Sequence, residues 1–473
     1  MKSKIEKWFQ EIFTDKDFNK KLLMIALPIT FQNLVGSSLN MIDTLMIGKV
    51  GENEIAAVGL ANQVFLLILM LIIGISSGTS IFISQFWGKK DVVSIRKMLG
   101  IALMGVVGTT SIATIIVILY PHKVMTFFTP DPIVINLGVQ YLTVVSISYI
   151  FTAITFAYSY SLRSIGETRI PLLVSIIAVL INVVCNYIFI FGKFGAPALG
   201  VAGAALGTTI ARICETIILI SMIYIRKGAL AAKLTELVAI SKQLVFQVIK
   251  PIILVVLNEL CWGLGMVVYA AAYGHISAGA AASVQISNTV ASVSTVMIFG
   301  MSSAAATMVG NKIGEGKEEE GKLYAKRIAT IAVMSGVVIS GILALSTPTI
   351  IGAFSVSPEV ARSSQRILYI TAAVLVLRTF NVIMVVGIQR GGGDAKMGLI
   401  IEATTMWLVG VPMSLLGAFV LRWPVEAVVA LVALEEVTKS IFCMYRFRSG
   451  KWVHNIISDL SLEKAKPTDI LAR

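Results

Sequence analysis

Two carboxylates lie within long apolar runs of the sequence, where ionisable side chains are rare. Asp43 stands near the end of the run that begins at Leu22, and Glu259 lies within VVLNELCWGLG. A lone charge at the centre of a lipid-facing helix costs on the order of 2.5–3.5 kcal/mol, so such residues usually face a wet cavity. There they bind or relay a cation. The alternative for Asp43 is a place at the membrane interface beside Lys49.

Two amides occupy a similar apolar run. Asn182 and Asn186 in INVVCNYIFIFG are four residues apart and therefore share one face of a helix. Buried amides need hydrogen-bond partners. The pair either completes a polar pocket or joins neighbouring helices across the membrane.

The composition indicates the elements that position these residues. Of the 473 residues, 56% are hydrophobic and 14% are charged, with a mean hydropathy of +0.87. Soluble domains have about 25% charged residues, so the chain reads as a membrane protein. Apolar stretches long enough to cross a bilayer as helices predict twelve spans. They cover about 22–48, 55–86, 98–120, 133–160, 170–191, 200–224, 246–273, 279–309, 325–347, 363–388, 397–420 and 425–445.

The positive charges are unevenly distributed between the predicted loops. Most of the 39 Lys and Arg residues fall in the two termini and the loops on one side of the membrane. The positive-inside rule places both termini in the cytoplasm of a multi-pass protein in the cell membrane. The net charge of +13 then anchors the inner leaflet, and nucleic-acid binding is excluded. Ile5, Trp8, Phe9, Ile12 and Phe13 at helical spacing predict an N-terminal helix that lies in the interface plane or, alternatively, packs on the surface of the protein itself.

The chain reads as a duplication. Three sets of residues recur at almost constant spacing, in these pairs: GISSG at 74–78 with GMSSA at 300–304, Pro28 with Pro251, and LRSIGETR at 162–169 with QRGGGDAK at 389–396. Each half holds six predicted spans, so the two halves share one orientation. We therefore predict an all-α membrane protein whose twelve transmembrane helices form two lobes of six helices. The lobes would be related by a pseudo-two-fold axis along the membrane normal, in a V shape around a central cavity.

These repeats also set the predicted domains. The N-lobe covers 1–225, a basic cytoplasmic linker 226–245, the C-lobe 246–450, and a cytoplasmic tail 451–473. Within the first repeat, Gly74 and Gly78 predict close packing between helices, since the nucleophile elbow that GISSG also fits requires a strand and a His–acid pair.

Enzymatic chemistry is not expected. The four cysteines stand singly in apolar runs, without the spacing of a metal site. GKEEEGKL at 316–323 lacks the Ser or Thr of a phosphate loop. We therefore predict no metal, no cofactor and no nucleotide, and transport of the secondary type.

Several motifs together carry a family resemblance along nearly the whole chain. They are IDTLMIGKVG and AAVGLANQ in the first two spans, then LRSIGETRIP, INVVCNYIFIFG, VAGAALGTT, QRGGGDAK and MWLVGVP. With these motifs the chain resembles the multidrug and toxic compound extrusion (MATE) transporters of the multidrug/oligosaccharidyl-lipid/polysaccharide flippase superfamily. The resemblance implies antiport in which an inward H⁺ or Na⁺ gradient drives export of amphipathic, often cationic, compounds.

The resemblance also implies a first-lobe cation site. It assigns the cation-binding carboxylate to Asp43 and the polar residues around it to Asn182, Asn186 and Thr208. Proton-coupled members of the family carry an Asp where this chain has Asn186, so Asp43 is the one ionisable member of this set.

The second lobe leaves alternatives open. Family members thought to use Na⁺ carry a Glu at the position of Glu259, usually with an Asp on the tenth span. That span here offers Arg378 and Asn381 instead. Glu259 is thus either a coupling or substrate site or the partner of Arg378 in a structural ion pair. Glu402, near the start of its span, is the weaker candidate.

Charged residues at matching repeat positions predict a cytoplasmic gate. Arg212 and Glu215 lie on the sixth span, and Glu436 and Lys439 on the twelfth, with inverted signs. They pair either within each helix at i,i+3 or across the lobes, Arg212 with Glu436.

The predicted function is therefore cation-coupled export of small amphipathic compounds by a monomer in the lipid bilayer. A flippase for a lipid-linked saccharide is the alternative. It would need several basic residues for a pyrophosphate, and Arg378 is the one Arg predicted near mid-depth.

Overall fold

The computed structural model describes residues 15–354, 356–458 and 460 of the chain. This part is helical, with no strand. The predicted N-terminal interfacial helix lies outside the described residues. In the first half of the chain the helices are α1 Lys16–Gly48, α2 Glu52–Gly88, α3 Val92–Leu119, α4 Pro121–Phe128, α5 Pro132–Val145, α6 Ile147–Ser164, α7 Arg169–Phe191, α8 Val201–Ile225 and α9 Leu234–Val238.

The second half contains α-helices with inserted π-helical turns. The helices are α10 Lys242–Ile276, α11 Ala278–Gly314, α12 Glu318–Gly352, α13 Pro358–Val382, α14 Ala395–Thr405, α15 Val411–Leu415, α16 Val425–Val432 and α17 Leu434–Arg448. The π-helical turns are Ile383–Gln389, Met406–Gly410 and Leu416–Val420. Such turns are rare and often occur at functional sites.

All twelve predicted spans are helical in the structure. Within the described residues, ten helices are long and apolar enough to cross a membrane, and the pair α5 and α6, bent by 48°, makes an eleventh. The predicted span 425–445 corresponds to α16 and α17 and does not meet this criterion. The span falls short because it is divided into helices of 8 and 15 residues and because Glu435, Glu436 and Lys439 lie close together in the second of them.

Capping residues explain where several helices begin. The side chain of Asp91 accepts a hydrogen bond from the amide of Ser94 at the start of α3, at 3.0 Å. Asp131 and Ser357 do the same at α5 and α13, each directly before a proline. Proline suits the first helical position because its missing N–H would be unpaired there anyway.

The chain forms two compact units. The first, here called the N-unit, contains Val35–Val256, Gly314–Gly316 and the described residues after His454. Its largest core joins Phe82 and Leu99 to Leu162 and to the start of α10 at Val248. The N-unit thus includes the first part of the seventh predicted span. The predicted lobe boundaries, at residues 225 and 246, stay a prediction.

Two glycines let α2 and α10 pack closely within the N-unit. A Cβ added at Gly74 would lie 2.7 Å from the Cα of Val256, and one at Gly78 would lie 2.9 Å from the Cα of Ile252. No side chain fits at such distances without moving the backbone. The predicted role of these glycines in helix packing is confirmed.

The other unit, here called the C-unit, contains the described residues up to Leu34, Leu257–Ile313 and Lys317–His454. It repeats the same contact, because a Cβ at Gly300 would lie 2.9 Å from the carbonyl oxygen of Ala26 on α1. Gly300 is the repeat partner of Gly74. The turn glycines of the repeat, Gly166 and Gly393, also match, with φ of 86° and 82°.

An ion pair fixes the start of α1 in the C-unit. The Arg327 guanidinium donates to the Asp15 carboxylate at 2.6 Å. The pKa of the Asp15 carboxyl lies below its usual value. The larger cause is the hydrogen bond from the backbone N–H of Phe18, and the next is the hydrogen bond from Arg327. Arg327 also lies over the ring of Phe18, with 5.3 Å between the guanidinium carbon and the ring centroid.

The Gly74 contact leads to a stability prediction. We expect Gly74→Val to lower the free energy of unfolding by about 1–3 kcal/mol, because the added side chain overlaps the α10 backbone. Thermal unfolding of the purified protein in detergent measures the change. Gly59→Val is the matched control on the same helix, since a Cβ at Gly59 meets nothing within 4 Å. Equal losses in both variants would contradict the packing role.

Candidate functional site

In the N-unit, a series of side-chain hydrogen bonds through two amides ends at Asp43. The side-chain amide of Asn186 donates to the Asp43 carboxylate at 2.7 Å and to Asn182 Oδ1 at 3.0 Å. The Asn182 amide in turn donates to the Thr208 hydroxyl oxygen at 3.3 Å. The structure thus brings together the four residues that the sequence predicts for the first-lobe site, although their role in cation binding stays a prediction.

The positions of the amides follow from helix geometry and from one glycine. Asn182 and Asn186 lie one turn apart on α7, and each is 1% exposed. A Cβ at Gly207 on α8 would overlap Oδ1 of Asn186, so only glycine leaves room there. That buried oxygen has no hydrogen-bond donor among the described residues. The site therefore offers a half-buried carboxylate and a free amide oxygen, both of which can accept.

Asp43 has no ion-pair partner among the described residues. Arg212, which attracts Asp43 electrostatically, instead forms an ion pair with Glu215 at 2.7 Å within α8. This is the i,i+3 arrangement that the sequence offered as one alternative. Ser175 completes the contact by donating to Glu215 at 3.3 Å. A meeting of Arg212 with Glu436 stays a prediction.

Asn186 offers a test of this arrangement. Asn186→Leu removes the donor to Asp43, and if Asp43 has the coupling role that the resemblance implies, export driven by an ion gradient should fall about tenfold. Asn186→Asp can keep a hydrogen bond to Asp43 when the two carboxyl groups share one proton, and it should retain transport. Asn53→Leu, at an exposed position of α2, is the control. Initial export rates in proteoliposomes with equal amounts of folded protein measure the effect; a wild-type rate in Asn186→Leu would exclude a role for the amide.

Glu259 forms an ion pair, but not with the predicted partner. Arg390 donates to Glu259 at 2.7 Å and to Oδ1 of Asn258 at 2.6 Å. The alternative that pairs Glu259 with Arg378 is therefore wrong, because the carboxylate is paired with Arg390 instead, while a coupling or substrate role for Glu259 stays a prediction. Arg390 is 4% exposed, although its motif QRGGGDAK reads as a cytoplasmic loop.

A buried lysine holds two carboxylates in the C-unit. Lys439, which is 5% exposed, donates to Glu435 at 2.7 Å and to Glu402 at 2.9 Å. The Tyr269 hydroxyl donates to the second oxygen of Glu435 at 2.5 Å. Lys439 thus pairs with Glu435 at i,i+4 rather than with Glu436 at i,i+3. Glu402, the weaker candidate in the sequence, is a central member of this cluster.

Glu436 is fixed by an amide. Asn381 donates to its carboxylate at 2.7 Å and to its backbone carbonyl at 2.8 Å. Glu436 and Asn381 line a cavity of about 630 Å³ in the C-unit, together with Arg378, Glu259 and the lysine cluster. A cavity of this size lies within the usual range for small-molecule sites, about 300–1,000 Å³.

Four functional candidates were not predicted from the sequence. Arg390, Glu435, Tyr269 and Asn258 all line the C-unit cavity. For Glu435 a signal existed, since it precedes Lys439 by four residues. Tyr269 and Asn258 carry no such local signal. Among the described residues, no group of three or more His, Cys, Asp or Glu side chains is arranged to hold a metal ion.

Comparison with known proteins gives consistent matches. The family model described as MatE matches residues 28–188 and 251–416. The uncharacterized transporter YisQ of Bacillus subtilis is 26% identical over 452 residues, which cover 93% of this chain and 96% of YisQ. The probable multidrug resistance protein NorM of Thermotoga maritima is 25% identical over 471 residues, 95% of this chain and 96% of that protein.

Solved structures share the fold. A MOP superfamily transporter from Pyrococcus furiosus matches with a TM-score of 0.82 at 18% identity, over 92% of this chain and 97% of that one. A variant of the Vibrio cholerae MATE transporter VcmN matches with a TM-score of 0.83 at 17% identity, over 93% and 98%. The two family matches begin at Pro28 and Pro251, the prolines that the repeat pairs. The predicted duplication agrees with this double match.

Proposed function

The chain belongs to the MatE family, and from this premise we propose that it is a secondary antiporter for amphipathic, often cationic, compounds. An inward gradient of H⁺ or Na⁺ drives their export across the cell membrane, and both termini lie in the cytoplasm. Relatives named as multidrug resistance proteins support drugs as the cargo class. They do not favour the alternative of a flippase for lipid-linked saccharides.

One observation carries the coupling proposal. Asp43 is a half-buried carboxylate inside a predicted span, held by Asn186 and free of any ion pair with a described residue. A carboxylate placed in this way can exchange a proton or Na⁺ with little rearrangement, because among the described residues no cationic side chain is in ion-pair contact with it. The lysine cluster of the C-unit differs, since Lys439 already neutralises part of its charge.

The cycle follows from the charge on Asp43. Asp43 is ionised while the protein holds a cationic compound. Uptake of H⁺ or Na⁺ from outside neutralises the carboxylate, which removes its attraction for the compound, and the compound leaves. The ion is later released to the cytoplasm. One charge moving through 100 mV supplies about 2.3 kcal/mol, or close to a fiftyfold concentration gradient, so one ion per cycle is enough.

Proteoliposomes test the proposal. Purified protein is reconstituted with a fluorescent cationic dye, and either a pH gradient or a Na⁺ gradient is imposed alone. We expect one gradient to drive dye transport and the dye to stimulate flux of the same ion. Dye movement that ignores both gradients would contradict antiport. Movement of a labelled lipid-linked saccharide without dye transport would favour the flippase.

A further inference from the structure

Two opposite charges that line the C-unit cavity have no ion-pair partner. Neither Arg378 nor Glu436 forms an ion pair with a described residue, and Arg378 also lacks a hydrogen bond to one. Both side chains are half-buried. A guanidinium within an apolar helix needs water or a ligand to compensate its charge.

The carboxylate of Glu436 is held in place. Ser440 donates to Oδ1 of Asn381 at 2.9 Å, which fixes the amide so that its NH₂ group points to Glu436. The amide donates to one carboxylate oxygen and leaves the other available to the cavity. Such support fixes a binding group in advance.

Arg378 lies close to this group along the same helix. It precedes Asn381 by three residues on α13, a rise of about 4.5 Å. Both charged residues line the same cavity, and the backbones of Arg378 and Asn381, the amide that holds Glu436, are about one helical turn apart.

The remaining charges that line the cavity are already engaged with one another. Arg390 binds Glu259, and Lys439 binds Glu402 and Glu435. A ligand with only a positive charge would satisfy Glu436 and leave Arg378 uncompensated. A ligand with only a negative charge would do the reverse. A compound with both charges a few ångström apart satisfies both groups.

Aromatic side chains supply the apolar part of the cavity. Trp262, Tyr273 and Phe299 line it together with aliphatic residues of α11 and α13. Aromatic rings pack well against other rings and attract a nearby ammonium group through their faces.

We propose that the C-unit cavity is a binding site for aromatic zwitterions of the amino-acid or dipeptide type. Their ammonium group contacts Glu436, their carboxylate contacts Arg378, and their ring packs among the aromatic residues. The proposal rests on the proposed export function in one respect, since it names a cargo for that transport. Binding itself needs no ion gradient.

Binding to the full-length protein in lipid nanodiscs tests the site without any gradient. The probes are tryptophan, its methyl ester, which keeps only the positive charge, and N-acetyltryptophan, which keeps only the negative charge. The dipeptide Trp–Gly places the two charges further apart. We expect one of the zwitterions to bind about tenfold more tightly than the ester and the N-acetyl compound.

Two variants separate the charges. Arg378→Gln should weaken zwitterion and N-acetyltryptophan binding about tenfold and leave the ester nearly unchanged. Glu436→Gln should weaken the zwitterion and the ester instead. Arg422→Gln and Glu359→Gln, at exposed positions of the C-unit, are the matched controls. Arg378→Lys keeps the charge and should bind better than Arg378→Gln, which excludes misfolding as the cause.

Other outcomes overturn the proposal. An ester that binds as tightly as the zwitterions would make this a cation site. Zwitterion binding that survives both Arg378→Gln and Glu436→Gln would place the ligand elsewhere, and no binding by any probe would exclude the site. If the wild-type protein shows no gradient-driven dye export, the antiport proposal is refuted. The binding results would still be valid, because binding needs no gradient.

Discussion

Asp43→Asn is expected to abolish gradient-driven export while the protein still folds. The substitution keeps the shape of the side chain and its hydrogen bond with Asn186 but removes the charge that exchanges with H⁺ or Na⁺ in the proposed cycle. Without that exchange the ion gradient cannot drive the cargo, so the roughly fiftyfold concentration ratio that one coupled charge supports at 100 mV should fall to about one. The dye concentration ratio across the proteoliposome membrane under an imposed gradient measures this loss.

The control for Asp43→Asn is an acid that lies outside the site. Glu52→Gln makes the same change of acid to amide at an exposed position at the start of α2. It should transport like the wild type. Thermal unfolding of both variants checks that each is folded. Coupled export by Asp43→Asn at the wild-type rate would remove the basis of the proposed cycle.

The second large effect concerns stability. Lys439→Met should lower the free energy of unfolding by about 3–5 kcal/mol, because Glu402 and Glu435 would be left buried without their cation. Denaturant unfolding of the purified protein in lipid bicelles at neutral pH measures the change. Lys396→Met, at an exposed position of α14, is the matched control and should change little.

A combined variant shows whether the charge is the cause. Lys439→Met with Glu402→Gln and Glu435→Gln replaces the charged cluster by neutral side chains of similar size. We expect it to recover much of the stability that Lys439→Met loses, since replacing every charge of a buried group is often close to neutral. A combined variant as unstable as Lys439→Met alone would show that packing, not charge, dominates.

Much of the fold could be predicted from sequence because its signals are local or repeated. The length of the apolar runs predicted the helices. Gly74 was predicted to lie at a close contact between helices, and the repeat matches it with Gly300. In the structure each of the two glycines contacts the backbone of a neighbouring helix in its own unit. The site around Asp43 was predicted from family motifs, and the spacing of Asn182 and Asn186 placed both amides on one face.

The C-unit was predicted less well because its contacts are not local. Glu259 and Arg390 are far apart in sequence, and no periodicity says that Arg390, next to a run of glycines, turns inward. Glu402 lies near the start of its span and reads as interfacial until Lys439 is seen beside it. The side chains that contact each other across two neighbouring helices depend on how each helix is rotated about its axis. The sequence pattern determines this rotation only coarsely.

The N-unit includes the first part of α10, so its assembly during synthesis must wait for that helix. Leu244, Val248 and Ile252 complete a core whose other members are encoded far upstream, and Gly74 seats against Val256. A ribosome must therefore translate past Val256 before the earlier helices can finish assembling. A gene cut in the linker before residue 242 should yield an N-terminal fragment that is degraded in cells, unless the missing piece is co-expressed.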